Sequence, residues 1–352
     1  MSVTHDDCTH GAAARENHTG RTSRLNPLPN ARRSVGPTTV RETALASAPG
    51  HARRAAHPAG ADSMAWLGVM VVLWGVSWPA TKLALEAVPP LWLATLRFAT
   101  AALCLFGFVA ARGALRLPPR ADWPIVASMG LLQMMAFTGL GMVAMTATDT
   151  SHAVLLAYTT PLWGVLAAWL LLRQAPTRLQ VAALGAGLAG IALICSPLEM
   201  DWTSGPALMG GAFLLVGAIC WSVVILHIRR HRWTASPLAL APWQMLLASV
   251  PLAGVAWALE GPPTGIAFDP PLLQLLAFIG PVATSACFVI SAEHGRRIST
   301  FAMGNLTLGV PLVGILASTL VLGGHLSGVF LAGLALVMGG MLLAAAATHR
   351  TA

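Results

Sequence analysis

The sequence predicts an all-α membrane protein of ten transmembrane helices, arranged as two inverted five-helix repeats. Three observations predict it. The chain is 56% hydrophobic and only 10% charged. Its apolar residues gather into runs of bilayer-spanning length, and its basic residues fall on alternate connections between those runs. Soluble domains carry about a quarter charged residues. At a mean hydropathy of +0.69 the apolar surface exceeds what a core can hide, so much of it must face lipid.

The first 63 residues are of a different character. They are rich in Arg, His, Thr, Ala and Pro, without an apolar run, and read as a disordered basic cytoplasmic tail. No apolar core with a small-residue cleavage site follows the basic residues, so the tail does not read as a signal peptide. His5, His10 and His18 lie near Asp6, Asp7 and Cys8, but their spacing matches no metal-ligand pattern. Met64 directly precedes the first apolar run and is an expected alternative start. Cys104, Cys195, Cys220 and Cys287 lie in apolar stretches without a CxxC pair and read as small core residues.

The predicted spans are 65–85, 91–111, 123–147, 151–172, 179–195, 206–228, 237–259, 272–292, 300–322 and 326–347. The first carries Trp74, Trp78, Thr81 and Lys82 at i, i+4, i+7 and i+8, hence on one helical face. That face either lines a cavity or forms an interfacial belt, with Lys82 pairing with Glu86. The second opens at Pro90-Leu91 and carries Arg97 about 9 Å in, at 1.5 Å per residue. An Arg at that depth costs roughly 2.5–3.5 kcal/mol on insertion scales, so it faces a cavity or a partner. Its planar fork of donors suits a carboxylate or phosphate, although a structural Arg that snorkels or caps carbonyls explains it equally.

Gln133 falls near the middle of the third span, Gln244 in the seventh and Asn305 in the ninth. Such amides line a site or serve as interhelical hydrogen-bond glue. In the fourth span Tyr158, the only tyrosine, stands three residues before Pro161, whose missing N–H frees a carbonyl one turn earlier. Trp221 sits late in the sixth span as Trp78 does in the first. Glu293 reads as a surface partner of Arg296 and Arg297, and His152, His227 and His325 fall at span ends. No acidic residue is expected at mid-membrane, which leaves the coupling ion unassigned.

With the tail in the cytoplasm, all of the 21 basic residues except Lys82 and Arg97 fall in the tail, the alternate loops or the C-terminal end. Glu199, Asp201, Glu260 and Asp269 fall in the opposite loops, which hold no Lys or Arg. This asymmetry sets both termini inside, and basic residues confined to loops do not make a nucleic-acid surface.

The halves repeat weakly but in register. Pro90-Leu91 matches Pro237-Leu238, with Arg97 and Gln244 each seven residues on. Pro161-Leu162-Trp163-Gly164 matches Pro311-Leu312-Val313-Gly314, with Gly190 and Gly340 each 29 residues on. Five spans per half invert the second half, which implies a midplane site between the halves and alternating access.

Leu73-Trp74-Gly75, Lys82-Leu83-Ala84-Leu85, Val88-Pro89-Pro90 and Leu96-Arg97-Phe98 resemble the opening of EamA-type repeats in the drug/metabolite transporter superfamily. The resemblance implies repeats over 64–197 and 198–348 of a gradient-driven inner-membrane carrier, often an exporter of amino acids or related metabolites. The chain departs from the family after the fourth and ninth spans. There Arg173-Gln174-Ala175 and Gly323-Gly324-His325 stand in place of a common Gly-Glu-Arg motif.

The expected function is therefore a secondary transporter, an exporter of small polar metabolites such as amino acids or organic anions. Its expected site is Arg97, Trp78, Lys82, Gln133, Tyr158, Trp221, Gln244 and Asn305. A non-transporting scaffold or sensor is the alternative. An intramembrane enzyme would want an HExxH or paired aspartates within the spans, and the sequence has neither. The expected partners are a small-molecule substrate and the lipid bilayer, with a homodimer as an option. No nucleic acid, metal or cofactor is expected.

Overall fold

The computed structural model describes residues 61–199, 203–297, 303 and 306–351. The tail through residue 60, and Asn305, lie outside the described residues. Within them every regular element is helical. Eight helices are long and apolar enough to cross a membrane: α1 (Ala61–Ala84), α2 (Pro90–Ala111), α3 (Arg120–Met145), α4 (Thr150–Leu171), α6 (Gly205–Arg230), α7 (Pro237–Glu260), α8 (Pro270–His294) and α10 (Gly328–Thr351). The fifth and ninth predicted spans form shorter apolar helices, α5 (Arg178–Ile194) and α9 (Gly309–Leu322). At 17 residues α5 reaches about 26 Å, near the lower limit of the usual spanning length; ahead of α9, the described residues Met303, Leu306 and Thr307 of the ninth predicted span are helical too.

Helix starts follow local chemistry. Pro90 and Pro237 occupy first-turn positions, where a missing N–H costs nothing. Asp149, Thr177, Ser204, Ser236 and Asp269 cap their helices by accepting backbone N–H groups. α1 starts at Ala61, so the last residues assigned to the tail belong to the helix. Pro161 interrupts α4 at Tyr158–Thr159, where the chain makes one turn before continuing. Two helices widen midway into π-helical segments, Ser128–Phe137 in α3 and Phe278–Ala286 in α8.

The helices pack in a definite set of pairs. α2 runs along α7 and α5 along α10; α1 packs on α8 and α9, while α6 packs on α3 and α4. α2 also meets α8, and α7 meets α3. The α5–α10 contact is tight because glycines meet there: a Cβ at Gly190 would lie 2.7 Å from the Gly333 carbonyl oxygen. Such small residues let backbones approach where lipid supplies no hydrophobic drive.

The α2–α7 pair is fastened at both ends. Glu260 accepts from the Leu91 and Trp92 amides at 2.8 and 3.0 Å, capping the positive end of α2. Trp92 Nε1 donates to the Gly261 carbonyl, and at the far end Trp243 Nε1 donates to that of Arg116. At the Arg-rich end, the fully buried Asp122 accepts from His231 Nε2 and the amides of Thr234 and Ala235. A buried carboxylate is tolerable only with such partners. This one ties the start of α3 to the α6–α7 connection.

Glu293 pairs with Arg112 of the α2–α3 connection at 3.1 Å. Among the described residues no disulfide joins Cys104, Cys195, Cys220 or Cys287.

Candidate functional site

Mid-bundle, α1, α2, α3, α4, α6, α7 and α8 enclose a cavity of about 160 Å³. Its α3 wall comprises Gln133, Met134, Phe137, Thr138, Gly141, Met142 and Met145. These recur at helical spacing to the last residue of α3, so the lined face runs out to that end of the bundle. In the opposite direction Ile125, Val126 and Met129 of α3 pack with Val224 and Leu240 into a buried cluster beside the Asp122 clamp. The lined face of α3 therefore runs toward the end away from the Arg-rich loops, and this apolar cluster lies toward the Arg-rich end.

α1 contributes Trp74, Ser77, Trp78 and Thr81, the helical face expected from their spacing. Lys82 stands beside that face and is not in the wall. Its ammonium donates to the Met145 carbonyl at the end of α3, where a cation meets the negative end of the helix, instead of pairing with Glu86. Trp78 and Trp221 lie on either side of Tyr158, with ring centroids 6.1 and 5.9 Å from it. Phe137 packs on Trp221 at 4.8 Å. The break before Pro161 turns the tyrosine into this aromatic group.

Arg97 enters the same space from α2. Its Nε donates to Thr284 Oγ1 at 2.9 Å. Among the described residues no carboxylate lies within 4.0 Å of Arg97, and no other nitrogen of the guanidinium has a protein acceptor. Gln133 lines the cavity and its buried Oε1 has no partner. Gln244 is fully buried and outside the wall; its Nε2 meets Met129 Sδ at 3.3 Å. The site thus combines one cation, one unpaired amide oxygen and an aromatic, Met-rich wall. That is a set able to hold a small solute carrying an anionic group and an apolar body.

Of the expected site residues, the structure brings together Arg97, Trp78, Gln133, Tyr158 and Trp221; Lys82 and Gln244 lie outside the wall. The sequence reading missed Phe137, Thr284 and the methionines at 134, 142, 145 and 245. Lone hydroxyls and apolar side chains carry no signal in an apolar span. Only spacing along α3, four residues from Gln133 to Phe137, could have flagged that wall.

A multi-pass α-helical membrane protein with a cavity at the centre of its bundle is the class that fold and site define. The chain belongs to the EamA-like transporter family, whose profile matches residues 63–196 and 208–346. It is 24% identical over 77% of its length to an uncharacterized transporter, YvbV, of Bacillus subtilis (strain 168), covering 88% of that protein. It is 26% identical to a protein of Salmonella typhimurium named "Probable amino-acid metabolite efflux pump", over 78% of this chain and 91% of that one. A solved crystal structure, 22% identical, superposes over 81% of this chain and 97% of its own with a TM-score of 0.54, sharing the fold.

Proposed function

We propose that the protein is a secondary transporter of the bacterial inner membrane that exports small polar metabolites, amino acids or organic anions. It works by alternating access between two inverted five-helix repeats, residues 64–197 and 198–348. The observation that carries this reading is Arg97: a cation in a mid-bundle cavity, with no carboxylate partner among the described residues and its terminal nitrogens unpaired. A buried charge without a partner is costly unless a ligand completes it. Trp78, Tyr158, Trp221 and Gln133 complete the proposed binding site.

The two-repeat reading is supported by the packing. Exchanging α1–α5 with α6–α10 maps the α1–α8 and α1–α9 contacts onto α6–α3 and α6–α4, and α2–α8 onto α7–α3. The pairs α2–α7, α4–α9 and α5–α10 map onto themselves. The π-helical segments and the left-handed residues Arg173 and Gly323 also fall at equivalent positions. With the Arg-rich ends and both termini cytoplasmic, the lined face of α3 runs toward the outer side and the Asp122 clamp lies at the cytoplasmic side. Export as the direction rests on the name of the Salmonella relative.

Flux of a broad metabolite panel in proteoliposomes tests the reading. Saturable exchange of amino acids or organic anions is the expected result. Exchange confined to cations, or none with any solute, would contradict it.

A further inference from the structure

We infer that Thr284 is the residue that positions Arg97, turning the guanidinium into an end-on clamp; the inference rests on the proposed role of Arg97 in binding an anionic group. The geometry begins in the backbone of α8. Between Phe278 and Ala286 the helix is π-helical, and Pro281 within it supplies no N–H. In such a segment the ladder bonds run five residues back rather than four. Thr284 Oγ1 accordingly donates to the Ile279 carbonyl, five residues earlier, at 2.8 Å. A hydroxyl has one proton and two lone pairs. With the proton committed to Ile279, the oxygen faces Arg97 as an acceptor only, and Nε donates to it at 2.9 Å.

The neighbouring contacts bring α8 close enough for this bond. Gly280 sits where a Cβ would lie 2.1 Å from Thr100 Oγ1 and 3.1 Å from the Arg97 carbonyl. Ser285 Oγ donates to the Ala101 carbonyl at 2.9 Å. Residues 280, 284 and 285 thus all meet α2 around Arg97. Tying Nε leaves the two terminal nitrogens as the free edge of the fork, the edge that grips a carboxylate with two parallel bonds. Without the tether the guanidinium retains its charge but not one orientation, and pre-organisation is where such a clamp gains affinity.

The test measures binding of 3-phenylpropionate and of its neutral isostere 3-phenylpropionamide by calorimetry on the purified full chain. It compares wild type, Thr284→Val and Thr284→Ser. The wild-type chain is expected to prefer the carboxylate. Thr284→Val, similar in shape but with no acceptor, is expected to reduce that preference by about three- to tenfold, and Thr284→Ser to restore it to within about twofold. A purely structural threonine would lower the melting temperature in detergent without moving the ratio. A wild-type chain that does not prefer the carboxylate overturns the clamp reading of Arg97 and this inference with it. A wild-type preference that Thr284→Val leaves undiminished overturns the inference alone.

Discussion

Arg173 ends α4 with φ 53°, the one described non-glycine residue in the left-handed region, and Gly323 ends α9 the same way at φ 72°. A Cβ there crowds the following carbonyl at a cost of roughly 1–2 kcal/mol, which glycine avoids. Arg173→Gly is therefore expected to raise the unfolding free energy by about 0.5–1 kcal/mol, read as a higher melting temperature in detergent. Arg173→Ala, which removes the charge but keeps the Cβ, should give no such gain; an equal gain would assign the effect to charge. This site was half legible in the sequence. The stretch stood out as a departure from Gly-Glu-Arg, but the backbone requirement became visible only with the dihedral angles. Trp74, Trp78 and Thr81 were legible because helical spacing fixes a face. Lys82 was not, because a long flexible stem is free to reach a carbonyl on another helix, and a sequence records nothing of where that carbonyl stands.

At the scale of elements, α5 offers an internal comparison. A Cβ at Gly190 would lie 2.7 Å from the Gly333 carbonyl oxygen and 2.9 Å from the Val337 amide, backbone atoms that cannot move aside. Gly185, on the same helix, has nothing within 4 Å. Gly190→Ala is expected to destabilise the α5–α10 pair by about 1–3 kcal/mol. Gly185→Ala should stabilise by about 0.5–1 kcal/mol through helix propensity. Equal effects in a thermal-stability assay would refute the close-packed account.

The start of α4 gives a pH-dependent case. Asp149 caps it by accepting from the Ser151 amide at 2.8 Å. His152, with Nδ1 3.7 Å away, and that amide hold the carboxyl below the ordinary carboxylate range. The cap's contribution is complete above the unfolded carboxyl value near pH 4 and fades as pH falls through the lower folded value. Asp149→Ala should cost about 0.5–2 kcal/mol at neutral pH, and the gap to wild type should narrow in acid; a gap that widens in acid would exclude the cap. Helix extents were largely legible from apolar runs and first-turn prolines. The π-helical segments were not, since a shift of the ladder by one residue is set by packing, and α3 has no proline between residues 128 and 137 to mark it.

For the whole molecule, the pattern of basic residues predicts a membrane orientation, because charge in loops is a property of sequence alone. The repeat implied a site between the halves, but bringing Arg97, Tyr158 and Trp221 to one cavity needed the packing of seven helices. Single cysteines in a cysteine-free background test the orientation. Positions in 112–120 and 229–232 should resist an impermeant thiol reagent on intact cells, while positions in 261–269 should react. The reverse pattern would invert the molecule. The central claim is that Arg97 binds the transported solute, and exchange flux with melting temperature on the same proteoliposome preparations tests it most directly. For the solute that the panel identifies, Arg97→Gln should weaken apparent affinity about ten- to a hundredfold while the protein remains folded, and Arg97→Lys should fall between it and wild type. Unchanged affinity in well-folded Arg97→Gln protein would contradict the account and remove Arg97 from the binding site.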